Sequence, residues 1–506
     1  MSDPENRQAP GQETPGQETP VQQAPVEETA LQQAPVREPD ERVAVDFTGV
    51  GSGVDEMSWG MWEIWHAMVD QRSSLPIGGR MALPAGTTVA AVAEELRYLM
   101  SRFPSMRTLL RFDAAGWPTQ ELFGSGSTTL EVYDAGDADP DEVASAVEQR
   151  YRSVDFAYAT EWPVRMAVVV RDGLAVQLVS IMSHLVTDAV GGTIMLREVQ
   201  ERSTAPVTGL QPLEQAGWQR SPAGQRQNDK ALRHWERALR TIPARRFPPS
   251  PEQGTPRHRV GLFESRALRL AVPLIVERTG TDTQIVLQAL YAIALRRINV
   301  AGPVVVRPVV NNRFRSDLSD VVCMVAQAGI SVLDIGDGTV DEVVELTRRG
   351  ALATYKHAYF HPEKLNELIA RVSEERGERV DVQVFLNDRT ANRPREEGIA
   401  SDPEELARQL RKAREDSGFR WIHESDEQVD AFYVAFDDLP DALLMEIQTN
   451  TRYFSSDHAE ALALGVEALA VEAALDPGTR TGPLVGAAPA GQEPEREPVQ
   501  DAEQIR

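Results

Sequence analysis

The stretch VSIMSHLVTDAVGG, residues 179–192, decides how this chain is read. An apolar run ends in Ser183 and His184, Asp188 follows four residues later, and Gly191 and Gly192 close the stretch. Upstream stand RMAVVV (165–170), the turn residues RDG (171–173) and LAVQLVSIMSH (174–184). Two apolar runs joined by a Gly turn predict a β-hairpin. The second run is apolar on both faces, so it belongs in the interior of its sheet. DAVGGTIMLREVQERS (188–203) then predicts a helix with Asp188 at its N-terminus, where the helix dipole favours a carboxylate. The glycines are poor helix formers, and at that place they permit close backbone approach to a ligand or to a neighbouring strand.

Histidine is the side chain whose pKa lies nearest neutrality, so His184 at a strand end can take up a proton at pH 7. Two readings are open from these residues: a buried histidine satisfied by backbone, or an active-site base. A His184–Asp188 relay is geometrically possible at this spacing. A buried Asp more often needs a cation, and an Arg on a neighbouring strand would serve.

Outward from this stretch, the 506 residues predict two or three compact units. Residues 1–42, with the repeat PGQETPGQETP, and residues 479–506 are poor in apolar side chains and are expected to be disordered. The folded body is divided at 225/226. Predicted helices cover 59–71, 88–103, 230–240, 281–298 and 456–475, and predicted strands 302–310, 378–388 and 442–454. The polar segment 203–228 reads as a linker. Helices and strands alternate in both parts, which places the chain in the α/β or α+β class.

Several chemistries are excluded. A formal net charge of −25 opposes binding to nucleic acid. One cysteine, Cys323, permits no internal disulfide and no cysteine-built zinc site, and a cytoplasmic location is the simplest expectation. No apolar run reaches the roughly 18 residues of a membrane span. The sequence holds no P-loop, no dinucleotide fingerprint, no H-E-x-x-H and no G-x-S-x-G. His357 and His361, four apart before Pro362, read as a helix end rather than a metal pair, so no metal is expected.

Seven stretches in order carry a resemblance. SHLVTDA (183–189) resembles the H-H-x-x-x-D-G motif of the condensation-domain superfamily: nonribosomal peptide synthetase condensation domains and their stand-alone, chloramphenicol-acetyltransferase-like acyltransferase relatives. MSWGMWEIW (57–65) resembles the family's opening S-x-x-Q-x-x-x-W helix, with Met61 at the Gln place. RFPSMRTLLRF (102–112), RHWERAL (233–239), VVVRPVVNNRF (304–314), VVCMVAQAGISV (321–332) and TNTRYFSSDHAEAL (449–462) resemble its later motifs.

The resemblance implies two chloramphenicol-acetyltransferase-like subdomains in a V, with an active-site tunnel between them. It implies His184 as the catalytic residue, and Asp188 as a structural residue paired with Arg313. Ser183 stands where the family has its first His, Ala189 where it has Gly and Ala326 where it has Asn. Ser203 stands where ring-closing members carry Tyr, so that activity is not expected. The resemblance also implies transfer of an acyl or aminoacyl group from a thioester to an amine or hydroxyl of a small-molecule or peptide acceptor, in specialised metabolite biosynthesis. No bound cofactor is expected. The thioester is carried on the phosphopantetheine of a carrier protein or on coenzyme A, and the acidic chain tilts the expectation toward coenzyme A. The backbone of Ala189, Gly191 and Gly192 is expected near the acyl group. The alternatives are a catalytically silent binding module that recruits a peptide or carrier, and a coenzyme A-dependent O-acyltransferase.

Overall fold

The computed structural model describes residues 37–298, 302–391, 396, 398–400, 402–426 and 432–482. The N-terminal half runs β1 (Glu41–Thr48), β2 (Gly53–Glu56), α1 (Trp59–Gln71), β3 (Ile77–Ala82), α2 (Val89–Arg102), β4 (Thr108–Phe112), β5 (Pro118–Leu122), β6 (Ser125–Asp134), α3 (Pro140–Ser153), β7 (Val164–Arg171), β8 (Leu174–Met182), α4 (Ala189–Glu201) and α5 (Pro212–Arg220). The C-terminal half continues with α6 (Pro222–Thr241), β9 (His258–Ser265), α7 (Arg266–Thr279), α8 (Thr283–Arg297), β10 (Val304–Val310), β11 (Gln327–Ala328), β12 (Ser331–Leu333), α9 (Val340–Lys356) and α10 (Pro362–Arg376). It closes with β13 (Val384–Asp388), α11 (Pro403–Glu415), β14 (Gly418–Ser425), β15 (Phe432–Asp438), β16 (Leu443–Asn450) and α12 (Ser456–Leu475).

Each half is built on one large sheet. The first has the order β1-β6-β7-β8-β3, with β7 and β8 forming the expected antiparallel hairpin. β8 has a neighbour on both sides, and its residues alternate between two cores. Leu178 and Met182 pack with α2, and Val179 and Ile181 with α3. That two-sided burial is why the strand reads as continuously apolar. The second sheet has the order β11-β10-β13-β15-β16-β9-β14, with β12 beside β10. Its central strands β10, β13 and β15 run parallel. One face carries Val306, Leu386, Val434, Phe436 and Met445 against α7, α8 and α12. A small three-stranded sheet, β2-β5-β4, lies in the N-terminal half.

Three expectations are corrected. The segment 203–228 is not a linker: α5 and the start of α6 occupy it, and the 225/226 division falls inside α6. Both helices begin at a proline in the first turn, Pro212 and Pro222. Two glutamines of this polar segment are buried and bonded. Gln219 accepts from the Trp59 amide at 3.1 Å and donates to the Tyr359 hydroxyl at 2.7 Å, while Gln215 donates to Cys323 Sγ at 3.0 Å. Strand 378–388 shortens to β13 because only Val384–Asp388 pairs with neighbours. The folded chain also extends past 43–478: β1 starts at Glu41, and Arg480 bridges Thr339. Residues 1–36 and 483–506, most of the two expected tails, lie outside the described residues. Among the described residues no helix is long and apolar enough to cross a membrane.

Candidate active site

β8 ends at Met182 and hands the chain to a tight turn that carries Ser183 and His184. Three contacts hold that turn. The Ser183 amide donates to the Pro163 carbonyl at 3.0 Å, the Val186 amide to the Ser183 carbonyl at 3.1 Å, and the Leu185 amide to Ser183 Oγ at 3.3 Å. Ser183 Oγ also shares a hydrogen bond of 3.1 Å with the Tyr158 hydroxyl, which burial pushes up to about 12. The serine is wholly buried, so its hydroxyl is part of the turn's scaffold.

His184 itself is half-buried, and its Nδ1 is shut off from solvent. Burial lowers its pKa below the usual histidine value. Hydrogen bonding to the backbone of His184 and Thr187 and the Asp188 charge raise it in part, and the Arg389 charge lowers it further. The imidazole is therefore neutral at pH 7, the form that accepts a proton.

Asp188 is not bonded to His184 among the described residues. It caps α4, with Oδ1 accepting from the Gly191 amide at 2.9 Å. Its Oδ2 accepts from Arg313 Nη1 at 2.7 Å and from the Val325 and Ala326 amides at 3.0 Å each. Arg313 Nη2 donates to the carbonyls of Val321 (3.1 Å) and Cys323 (3.2 Å). Both side chains of the pair are only 5% exposed. One carboxylate thus ties the N-terminal motif to the segment 321–326 of the other half. Ala326 contributes its amide there and no side-chain polar group.

Gly191 has a structural cause, whereas a Cβ on Gly192 would meet nothing within 4 Å. A Cβ on Gly191 would stand 2.3 Å from Thr187 Oγ1 and 3.1 Å from Arg313 Nη2, so the ion pair itself needs that glycine. The amides of Gly191 and Gly192 are both spent on Asp188, the latter on its carbonyl at 2.8 Å. Of the three positions expected beside the acyl group, Ala189 alone keeps its amide unengaged, at the exposed first turn of α4.

Further residues join the halves around this centre, and sequence reasoning missed them. Glu63 on α1 accepts from Arg307 Nη2 at 3.2 Å, and Arg307 lies between the rings of Trp235 and Phe385. Gly60 presses α1 onto the other half so closely that a Cβ would meet the Met324 carbonyl oxygen at 2.3 Å. Ser105 donates to the Val322 carbonyl at 2.9 Å. On the C-terminal sheet, the Tyr433 hydroxyl accepts from Asn387 at 2.9 Å and from Arg389 at 3.2 Å, and Arg389 Nε donates to Asp437 at 2.7 Å. Beside the motif lies a cavity of about 10 Å³, room for one water, lined by Met61, Ser105, Thr108, Leu110, Tyr158 and Leu185 among others. His357 ends α9 and His361 precedes α10, and no cluster of three or more metal-ligating side chains occurs among the described residues.

Comparison with known proteins assigns the class. The family model for the condensation domain matches residues 60–483, and the chain belongs to that family. Its sequence is 23% identical over 291 residues to surfactin synthase subunit 2 of Bacillus subtilis (strain 168), covering 55% of this chain and 8% of that protein. It is 23% identical over 318 residues to the nonribosomal peptide synthetase kk1B of Curvularia clavata, covering 59% of this chain and 2% of that protein. The chain therefore spans only a small fraction of the length of these relatives. Among solved structures, the condensation domain for chain release from the enacyloxin polyketide synthase superposes with a TM-score of 0.64 at 16% identity, covering 89% of this chain and 86% of that one. The X-domain from teicoplanin biosynthesis gives 0.62 at 18%, covering 86% and 98%. SgcC5 from Streptomyces globisporus gives 0.59 at 19%, covering 81% and 94%. At these identities the likeness establishes the fold, a mixed helix-and-sheet architecture of the chloramphenicol acetyltransferase type.

Proposed function

We propose that this protein is a condensation-type acyltransferase that joins an acyl or aminoacyl thioester to an amine or hydroxyl. The observation that carries the proposal is His184: a neutral imidazole, held at a rigid strand end, beside an Asp188 whose carboxylate is committed to Arg313 and to the Gly191, Val325 and Ala326 amides. The acceptor's nitrogen or oxygen attacks the thioester carbonyl, the carbon–sulfur bond breaks, and the acceptor's proton passes through His184 to the departing thiolate. Ala189 is the position whose backbone amide is left to approach the acyl oxygen. The tunnel implied by the family resemblance would admit the donor from one side and the acceptor from the other. The donor sits on a phosphopantetheine carrier or on coenzyme A, and a biosynthetic role in the cytoplasm follows.

Intact-mass analysis of acyl-loaded carrier proteins and acyl-coenzyme A thioesters with a panel of amines and alcohols tests this. Product from the wild type and none from a folded His184→Ala protein is the expected result. Equal product from both would remove His184 from the mechanism. A second reading, a silent binding module, draws support from Ser183, Met61 and Ala326 at positions where the family carries polar groups. The teicoplanin X-domain, similar in fold, has been solved in complex with OxyB. Carrier binding without product from any donor would favour that reading.

A further inference from the structure

The β4–β5 hairpin puts two large rings in water. Phe112 is 42% exposed and Trp117 51% exposed. The turn between them is braced. Asp113 Oδ1 accepts from the Ala115 amide at 2.8 Å and from the Trp117 amide at 2.9 Å, and the Asp113 amide donates to the Trp117 carbonyl at 3.1 Å. Gly116 supplies the left-handed residue the turn needs, with φ 82°. A turn held in this way keeps its rings in place, so their apolar area stays open for a ligand to cover.

These rings begin a row that leads inward. Trp117 lies 5.7 Å from Trp62 and Phe112 lies 5.8 Å from Trp65, centroid to centroid. Trp62 and Trp65 are three apart on α1 and so share one side of it. Trp65 in turn lies 5.9 Å from Tyr158, edge to face. Tyr158 is fixed at both ends: its carbonyl accepts from the Leu110 amide of β4 at 2.9 Å, and its hydroxyl bonds to Ser183 Oγ, the residue before His184. Trp65, Tyr158 and, from the C-terminal half, Val309 all pack against the core cluster that contains Trp62 and Leu185, the residue after His184. Exposure falls along the row, from Phe112 and Trp117 through the half-buried Trp65 and Tyr158 to the wholly buried Ser183.

A strip graded from solvent to the catalytic turn suits a small molecule lying along it. A protein partner would cover the two outer rings and leave the inner ones untouched. The cavity at the inner end has room for one water only, so the ligand lies on the strip and not in a closed pocket. The strip consists of rings, and ring faces and edges favour another flat π system over a flexible alkyl chain of similar area.

We propose that Phe112, Trp117, Trp65 and Tyr158 form the subsite for the non-reacting part of the acyl group, and that this part carries an aromatic ring. The proposal rests on the acyl-transfer function above and names the class of its donor.

The test measures binding of three N-acetylcysteamine thioesters, 3-phenylpropanoyl, nonanoyl and acetyl, to the full chain by calorimetry without an acceptor. The first two have the same carbon count and differ in the ring. One variant, Phe112→Leu with Trp117→Leu, keeps apolar surface on the hairpin and removes both rings. Trp117→Leu alone gives the same comparison if the double variant does not fold. The control is Leu352→Ala at an exposed position on α9, outside the strip. The wild type should bind the phenylpropanoyl thioester at least about tenfold tighter than the acetyl and at least about threefold tighter than the nonanoyl. The preference for the ring over the alkyl chain should vanish in the leucine variant and persist in Leu352→Ala. With an amine acceptor, the leucine variant should raise KM for the phenylpropanoyl thioester more than for the nonanoyl. Turnover absent with all three thioesters would fail the acyl-transfer reading, while calorimetry still judges the strip. No binding of the phenylpropanoyl thioester, binding that does not distinguish ring from chain, or an equal loss in Leu352→Ala overturns the subsite. So does self-association of the wild type that the leucine variant abolishes.

Discussion

Replacing Asp188 by Asn removes one charge and changes almost no volume. The carboxylate accepts four hydrogen bonds, from Arg313, Val325, Ala326 and Gly191. An amide can keep the Gly191 cap through its oxygen. Its NH2 group then faces the Arg313 donors and the two backbone amides, so donors meet donors. Breaking a buried ion pair from one side costs about 3–5 kcal/mol, because the surviving charge stays buried. Arg313 keeps its bonds to the Val321 and Cys323 carbonyls, which places the expected loss near the lower end, about 3 kcal/mol. A chain of this size has a melting entropy of about 1 kcal/mol per degree, so the midpoint should fall by about 3 °C. The loss should be local as well as global. Hydrogen exchange by mass spectrometry should show faster exchange in peptides covering 321–328, while β7 and β8 stay protected. A stability change under about 1 kcal/mol, with unchanged exchange in that segment, would refute the argument that this carboxylate fastens the two halves.

Other consequences follow from the same contacts. Gly60→Ala puts a methyl group against the Met324 carbonyl oxygen, and backbone cannot rotate away, so denaturant titration should show a loss of about 1–3 kcal/mol despite the better helix propensity of Ala. Tyr158→Phe removes the hydroxyl on Ser183 and should cost about 1 kcal/mol in stability, with a fall in kcat at unchanged KM as the His184 turn loosens. Burial holds the folded-state pKa of His184 below its ordinary value and that of His234 near about 4. At these two histidines the unfolded chain therefore binds more protons below pH 6.5, so their contribution to stability is level above that pH and falls as pH drops toward 4, the fall lessened in His234→Gln; a melting profile unchanged by that substitution would count against it. Activity, if it needs neutral His184, should hold through pH 7 and decline only below 6.5.

Local pattern was enough for the hairpin, the α4 cap and the histidine at the strand end. Two-sided apolar runs, a Gly turn and an Asp before a helix are signals written in adjacent residues, and His184 and Asp188 lie inside them. Arg313 was within reach by one further step, because a buried carboxylate needs a cation and the resemblance points to that strand. What stayed hidden shares a different physics. The Val325 and Ala326 amides that complete the Asp188 shell are backbone groups, present at every residue and marked by no side chain. Gln215 and Gln219 looked like solvent-facing polarity until the fold placed Trp59, Tyr359 and Cys323 around them. Glu63, Arg307 and Tyr158 acquire meaning only when α1, β10 and the 183–187 turn meet. The amino-acid sequence by itself determined the class and the strand-to-helix turn that carries His184 and Asp188. Only the tertiary structure decided that the Asp188 carboxylate fastens two halves together. Hydrogen bonds between distant segments depend on the path of the backbone, and no short window of sequence contains that path.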